Sequence, residues 1–259
     1  MIDQLSLNEL NELSKYIPNF MFILLRSSIL ISLLPVLGGK QMPAQFRLGL
    51  AVMISIILTP VVQFEITENN IPMLVLKELL LGIALGLTVR FIFMAVNMAG
   101  QFMSYTMGMS IAQVFNPEMG QSTSIAEIYG IIAMLFFLIL DVHHDLIYVF
   151  VKSFEILPAG ETNILPLVPV VLSMMTGLFV LALKICAPVT VGLLISHLLT
   201  GFLYKAAPQM NIFFVTMPLN IFLGFLLIIL SIPVFEYLMG VKFSDLRGEM
   251  IRIVTMAKG

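Results

Sequence analysis

MLVLKELLLGIALGLTVRFIFMAV, residues 73–96, is the stretch that decides the fold class of this sequence. Its only charged residues are Lys77, Glu78 and Arg90. A helix of about 20 mostly apolar residues is long enough to cross the hydrocarbon core of a bilayer. Gly82 and Gly86 are four residues apart, a spacing that lets two helices approach closely in lipid. The stretch therefore predicts a membrane-spanning helix that packs against another helix.

The composition of the whole chain leads to the same class. Of its 259 residues, 59% are hydrophobic and 11% are charged, and the mean hydropathy is +1.05. A soluble domain has about 45–50% apolar and about 25% charged residues, so one soluble core could not enclose this much apolar surface. The net charge of -2 gives no basic field for nucleic acid. Cys186 is the only cysteine, which excludes an intramolecular disulfide and a thiolate metal cluster.

Apolar stretches of suitable length recur along the chain. The sequence predicts six helices, at residues 17–37, 48–64, 73–96, 125–151, 165–200 and 211–239, and an amphipathic tail at 240–259. Neither an internal repeat nor a soluble linker is evident, so we expect one all-α integral membrane domain over residues 1–259. The acidic start of the chain, with Asp3, Glu9 and Glu12, does not resemble the basic start of a signal peptide.

Loop charges give an inconsistent topology for six simple spans. Lys40 and Arg47 make the 38–47 loop cytoplasmic by the positive-inside rule, and the acidic 65–72 loop is then external. Six spans would place the basic tail at 240–259 outside. Either the number of spans is odd, or some helices are hairpins that do not cross the membrane fully.

Ionisable residues interrupt the apolar stretches. They are Arg26, Lys77, Glu78, Arg90, Glu127, Asp141, Lys184 and Glu236. Each costs about 2.5–3.5 kcal/mol at the centre of a bilayer on insertion scales. One interpretation is contact with partner chains or with a water-filled path, and the other is pairing within the chain. The prolines at 188, 218 and 233 also need neighbouring protein or water to satisfy the freed carbonyls.

The segment 97–124 is too polar to span a membrane and fits a water-filled cavity better. Asn116 and Pro117 predict a turn, and the Ser122–Ser124 run, with Glu127 three residues after Ser124, predicts a capping box for the next helix. Methionines are concentrated here, among them Met103, Met107 and Met109. Because methionine adapts to changing neighbours, they predict either a soft seal around a pore or ordinary core packing.

The DVHHD run at residues 141–145 is the one candidate for metal or acid–base chemistry. On a helix, the adjacent His143 and His144 point about 100° apart, which is poor geometry for one ion. The favoured interpretation is a helix end near an aqueous boundary. Since the sequence contains no Walker A, GxSxG or GxGxxG motif, we predict no catalytic residue, no metal and no cofactor.

Three blocks carry a resemblance to a known family. They are MGMSIAQVFNPEMGQSTSIAEI at 107–128, DVHHDLI at 141–147 and KAAPQMNIF at 205–213, and KELLLGIALG at 77–86 also fits. Together they resemble the FliR family of type III secretion export-gate proteins over nearly the whole chain. Val142 stands where the family usually has glycine. Asn220 stands where the family often has a lysine, which puts any role of that lysine in doubt.

The resemblance implies an architecture and partners. Members of the family form kinked helical hairpins, which assemble with FliP and FliQ homologues into a helical export gate. The resemblance further implies a gated pore for unfolded flagellar subunits, located in the bacterial inner membrane at the flagellar basal body, with FlhB and FlhA homologues as further partners. An injectisome-type homologue of the same gate remains an alternative.

The resemblance also implies functional positions. Residues 108–124, which we call the plug segment, would close the channel, with Ile111, Gln113, Val114, Phe115, Asn116 and Pro117 at the plug. Met103, Met107 and Met109 would form a methionine seal. Subunit contacts would use Arg26, Arg90, Glu127, Asp141, Lys184 and Glu236. Two alternatives from other classes are a secondary transporter with an ion site at Arg90, Asp141 or Lys184, and a metalloenzyme that uses the DVHHD run.

Overall fold

A computed structural model describes residues 2–34, 42–62, 70–109, 123–206 and 212–258. Within these ranges the chain is helical and contains no strand, which confirms the prediction of an all-α integral membrane protein. The helices are α1 (Ile2–Leu33), α2 (Ala44–Leu58), α3 (Ile71–Thr106), α4 (Ser124–Ile139), α5 (Val142–Ile156), α6 (Leu167–Ala206) and α7 (Ile212–Lys258).

Four of the described helices are long and apolar enough to cross a membrane, namely α1, α3, α6 and α7. Counting α4 and α5 together as one broken span raises the number to five. Large apolar side chains cover much of the outer surface, for example Phe202, Phe214 and Phe222, which are more than half exposed. A soluble monomer rarely exposes so much apolar surface, so these faces require lipid or protein neighbours.

The helix predicted at 125–151 is two helices. Asp141 adopts a left-handed backbone conformation, with φ 53°, and ends the run between Ile139 and Val142. A left-handed residue cannot continue a right-handed helix, so the chain breaks at the DVHHD run, which the sequence analysis interpreted as a helix end.

Three other helices extend further than the sequence predicted. α3 continues past residue 96 to Thr106, and within this continuation Gln101 Nε2 donates a hydrogen bond to Asn97 Oδ1 at 2.7 Å, a pairing one helical turn apart. α6 passes through Pro188 and continues to Ala206. The predicted tail at 240–259 is the continuation of α7, since Phe243, Leu246 and Met250 recur at helical spacing and are buried.

The described residues divide into two compact units. The first unit takes its residues from Met1–Phe91, Asp141–Met174 and Asp245–Gly259, and the second from Ile92–Leu140 and Met175–Ser244. α3, α6 and α7 contribute residues to both units, because the boundaries after Phe91, Met174 and Ser244 fall within these helices.

In the first unit, α1 packs on α3 through glycines. A Cβ at Gly82 would lie 3.3 Å from Ile29 Cβ, and a Cβ at Gly86 would lie 2.6 Å from Leu33 Cδ1. The spacing of the two glycines predicted this close approach, and the structure confirms it. The end of α7 is also held in this unit, where Asn163 N donates to Ala257 O at 2.7 Å.

In the second unit, aromatic rings join α3, α4 and α7. The rings of Phe93, Phe137 and Phe243 lie with their centroids 5.8–6.0 Å apart. Tyr129 packs edge-on against Phe235, with a centroid distance of 5.0 Å. Such pairs stabilise by about 0.5–1.5 kcal/mol each beyond their buried area. These aromatic contacts hold together α3 and α4, the two helices that flank the plug segment in the sequence.

Candidate functional site

The C-terminus of α3 is a complete Schellman motif. Gly108 N donates to Tyr105 O and Met109 N donates to Ser104 O, both at 3.1 Å. Gly108 has φ 82°, the left-handed conformation that this motif requires and that glycine adopts without strain. The plug segment therefore leaves α3 at a defined residue and in a defined direction.

The other end of the plug segment is fixed by the start of α4. Thr123, whose side chain is buried, is the N-cap and accepts a hydrogen bond from Ala126 N at 3.2 Å. The sequence predicted a cap within the Ser122–Ser124 run but paired Ser124 with Glu127 in a capping box. With Thr123 as the cap, Glu127 lies one residue too late for that box, and it is exposed.

α3 and α4 touch backbone to backbone beside these two ends. A Cβ at Gly100 would lie 2.4 Å from Ala126 Cα and 2.8 Å from Ala126 N. Only glycine fits at such a distance, because the atoms that it meets belong to the facing backbone. We call this arrangement of Gly100, Gly108, Thr123 and Ala126 the plug base.

Methionines from α3 fill the core next to the plug base. Met103 and Met107 are fully buried, and a Cβ at Gly224 of α7 would lie 2.5 Å from Met107 Cε. Met109 is half-buried. Both interpretations of the methionines were open from the sequence. The burial of Met103 and Met107 within this chain favours core packing for those two.

The predicted plug residues lie outside the described residues. Residues 110–122 include all of them, namely Ile111, Gln113, Val114, Phe115, Asn116 and Pro117. The structure describes the residues at the two ends of this segment, namely Gly108 in the Schellman motif and Thr123 at the N-cap of α4.

Arg26 forms a closed polar cluster inside the first unit. Its Nε and Nη2 both lie 2.7 Å from Glu78 Oε2, and both side chains are 0% exposed. Nη1 donates to Ser153 Oγ at 2.9 Å, and Nη2 donates to Leu157 O at 3.5 Å. The guanidinium also lies 3.9 Å above the ring centroid of Phe154. Pairing within the chain therefore accounts for Arg26, one of the charges predicted to contact partner subunits.

The cluster continues to the loop after α5. Gly160 N donates to Glu78 Oε1 at 3.2 Å, and Lys77 Nζ donates to Gly160 O at 2.9 Å. Gly160 has φ 95°, and a Cβ there would lie 2.2 Å from Leu74 Cδ2. Ser153 and Gly160 were not singled out from the sequence, since a serine in an apolar helix and a loop glycine are common. The useful signal was the pair of opposite charges, Arg26 and Glu78, in two apolar helices.

Four other predicted charges remain on the surface of the chain. Arg90, Glu127, Lys184 and Glu236 are exposed, and none forms an ion pair with another described residue. Their neighbours in sequence include exposed apolar residues such as Ile128, Leu183 and Tyr237. Of the predicted intramembrane charges, the structure thus encloses Arg26 and Glu78 and leaves Arg90, Glu127, Lys184 and Glu236 on the surface of the chain.

Asp141 lies with two histidines at the start of α5. Asp141 Oδ1 is 3.4 Å from His144 Nδ1 and 4.0 Å from His143 Nε2, and the two imidazole centroids are 4.2 Å apart. One turn further along, Arg247 Nη1 lies 3.4 Å from Asp145 Oδ1, and its guanidinium lies 4.1 Å from the ring centroid of Tyr148. The contacts of Arg247 with Asp145 and Tyr148 join α5 to the last part of α7.

Comparison with known proteins places the chain in a family. A model of the family described as "Bacterial export proteins, family 1" matches residues 17–246. The flagellar biosynthetic protein FliR of Escherichia coli (strain K12) is 31% identical over 241 residues, which are 90% of this chain and 91% of that protein. FliR of Caulobacter vibrioides is 30% identical over 239 residues, covering 89% and 93%, and FliR of Bacillus subtilis (strain 168) is 29% identical over 244 residues, covering 91% and 94%.

The chain belongs to the FliR family of bacterial export proteins. With its several apolar helices, it is a multi-pass membrane protein of that family. The family match from residue 17 to residue 246 includes the plug base, the Arg26 cluster and the DVHHD run. The resemblance seen in the sequence is therefore confirmed.

The two positions noted as departures in the sequence resemblance are both buried. Val142 follows Asp141, the left-handed residue at the helix break. Asn220 accepts a hydrogen bond from Ser196 Oγ at 3.0 Å, so a neutral pair joins α6 and α7 there.

Proposed function

We propose that this chain is a non-catalytic subunit of the flagellar type III protein export gate. In this proposal it forms a gated pore for unfolded flagellar subunits with FliP and FliQ homologues, in the bacterial inner membrane at the flagellar basal body. Homologues of FlhB and FlhA are the further partners. Membership of the FliR family, whose curated relatives are named flagellar biosynthetic proteins, supports the flagellar role over the injectisome alternative.

The observation that carries the gating part of the proposal is the plug base. A 108–124 segment that begins at the Gly108 Schellman motif and ends at the Thr123 cap is held at both ends by one packed unit. The contact of Gly100 with Ala126 keeps the supporting helices in backbone contact. Contacts of this kind hold α3 and α4 in place at both ends of the segment, and a plug requires such a fixed base. Core packing of Met103 and Met107 stiffens the base, and we assign the soft seal to Met109 together with the plug segment.

The exposed charges support assembly with partner subunits. Arg90, Glu127, Lys184 and Glu236 lie on helices whose surfaces are otherwise largely apolar. Left in hydrocarbon, a charge at depth costs about 2.5–3.5 kcal/mol on insertion scales. Contact with partner chains removes that cost by supplying opposite charges or polar groups.

Deletion of residues 110–117 tests the gating proposal. In cells that carry the complete gate, we expect the deletion to raise ion leakage across the inner membrane, because the anchors remain and the plug is lost. Cells that lack this chain are the control, since leakage through the gate requires an assembled gate. Unchanged leakage, with the deleted chain still co-purifying with its partners, would contradict the plug role.

A further inference from the structure

A cluster of metal-ligand side chains lies at the break before α5, separate from the plug base. One ligand atom each from Asp141, His143 and His144 can be chosen so that all three lie within 4.8 Å of one another. The three side chains are 71%, 38% and 71% exposed, so an ion from solution can reach them. None of them takes part in the proposed plug or in the Arg26 cluster.

The backbone at Asp141 is left-handed, which is uncommon for a residue other than glycine. Among the described residues, Asp141 is the only one other than glycine with positive φ. An aspartate at a helix N-cap usually accepts a hydrogen bond from the first turn, but the Asp141 side chain makes no such bond. Its carboxylate instead faces the two imidazoles, at 3.4 Å from His144 Nδ1. Strain of this kind persists where the surroundings specify it, and it is concentrated at functional sites.

The two histidines converge, although adjacent helical residues diverge by about 100°. Their ring centroids lie 4.2 Å apart, because both side chains turn towards the same carboxylate oxygen of Asp141. The geometric objection to a metal site that the sequence suggested therefore does not apply to this structure.

We propose that Asp141, His143 and His144 bind one divalent transition-metal ion, of which Zn²⁺ is the representative. Imidazole nitrogen and carboxylate oxygen bind Zn²⁺ at about 2.0–2.2 Å, so two ligand atoms of one ion lie roughly 3–3.5 Å apart. The Asp141–His144 distance of 3.4 Å already meets that requirement, whereas the half-buried His143, whose Nε2 lies 4.0 Å from Asp141 Oδ1, must come closer to meet it. Imidazole ligands favour Zn²⁺, Ni²⁺ or Co²⁺ over Mg²⁺ and Ca²⁺.

The charges around the cluster set the expected affinity. The N-terminus of α5 carries a partial positive charge, which opposes a bound cation, and the Asp141 carboxylate offsets it. Asp145 forms an ion pair with Arg247 and is therefore not counted as a metal ligand. The ligands of the ion are then the three named residues and water. Because the site has three protein ligands, two of them exposed, we expect micromolar binding rather than the tighter binding of a closed four-ligand site. The bound ion would fix the left-handed turn that separates α4 from α5.

Calorimetric titration with Zn²⁺ alone tests the proposal on the full chain, purified in detergent with a histidine-free tag and stripped with a chelator. We expect one equivalent to bind and the thermal unfolding midpoint to rise. Asp141→Asn and His144→Gln should each weaken binding roughly 100-fold. Asparagine tolerates a left-handed backbone, so Asp141→Asn should keep the helical circular dichroism of the wild type.

His197→Gln is the matched control, because His197 is the chain's third histidine and is also exposed on α6. It should bind Zn²⁺ as the wild type does. A second readout is the visible absorption of bound Co²⁺, which should appear for the wild type and for His197→Gln but not for His144→Gln. Binding no tighter than millimolar, or equal binding by wild type, Asp141→Asn and His144→Gln, would overturn the proposal.

Discussion

At the scale of single residues, Arg26 and Glu78 form an ion pair whose two side chains are fully buried in the first unit. Each also has a hydrogen-bond partner in α5 or in the loop that follows it. A buried pair contributes little over an apolar replacement of both residues, but the loss of one partner leaves an uncompensated charge in the interior. The pair therefore specifies how α1, α3 and α5 meet.

Substitution of one partner should destabilise the first unit strongly. We expect Arg26→Met to cost about 3–5 kcal/mol, because the Glu78 carboxylate is then buried without its cation. The double variant Arg26→Met/Glu78→Met should recover part of that loss. Arg90→Met is the matched control, since Arg90 is exposed, and it should change stability little. Denaturant unfolding of the purified chain in detergent measures the free energy of unfolding of all three variants. Equal losses of stability in Arg26→Met and Arg90→Met would contradict the role given to the buried pair.

Residues also show where sequence reasoning was limited. The apolar setting of Arg26 and Glu78 identified both as unusual, yet their pairing across 52 positions depends on how α1 and α3 pack. Similarly, Asp141 was noticed for its chemistry, whereas its left-handed conformation arises from the local chain path. The residue types were enough to single out the candidate functional residues. Which of these residues contact one another depends on the tertiary structure.

At the scale of elements, the helices that support the plug segment are positioned by glycines. Gly82 and Gly86 bring α1 and α3 together, and Gly100 brings α3 against the start of α4. The first two were predictable from their spacing in an apolar helix. Gly100 was not, because it stands in a polar stretch that the sequence suggested was outside a helix.

Comparison of Gly100→Ala with Gly82→Ala tests the plug base. At Gly100 the new Cβ would meet Ala126 backbone at 2.4 Å, and the two helices must separate to admit it. At Gly82 it would meet the Ile29 side chain at 3.3 Å, which can adjust. We therefore expect Gly100→Ala to lower the thermal unfolding midpoint and to impair secretion of flagellar subunits, with a much smaller effect for Gly82→Ala. The reverse order of the two variants would contradict the proposed role of the α3–α4 contact.

Element boundaries were the less predictable part of the fold. The apolar stretches marked the existence of the helices well, since a bilayer requires about 20 such residues. They could not show that α3 continues through Asn97 and Gln101, because the hydrogen bond between these side chains depends on the helix being present. The apolar stretch predicted at 125–151 ran through the break between α4 and α5, although the polar DVHHD run had already indicated a helix end there.

At the scale of the whole molecule, the distribution of charge connects the chain to its partners. The structure encloses Arg26 and Glu78 and leaves Arg90, Glu127, Lys184 and Glu236 on the surface. The sequence predicted that such residues were costly in lipid but left open which of them pair within the chain. Only packing could decide this, because the alternatives differ in tertiary contacts and not in residue type.

Removal of the exposed charges should weaken assembly while leaving the chain folded. We expect Lys184→Met and Arg90→Met to lower the recovery of FliP and FliQ homologues with the tagged chain, since each variant loses a polar contact at the subunit boundary. Leu183→Met is the control on the same helix, because it changes an exposed apolar neighbour without changing charge. The partners are quantified by mass spectrometry after purification. Undiminished recovery with both charge variants would argue against their role in subunit contacts.

The assignment of this chain to an export gate is tested most simply by identifying the proteins that co-purify with the wild-type full chain from bacterial membranes in mild detergent. Native mass measurement of that material should show a stable complex that contains two further small membrane proteins, the FliP and FliQ homologues. A monodisperse monomer, recovered from cells that express all three proteins, would contradict the assignment of this chain to an export gate.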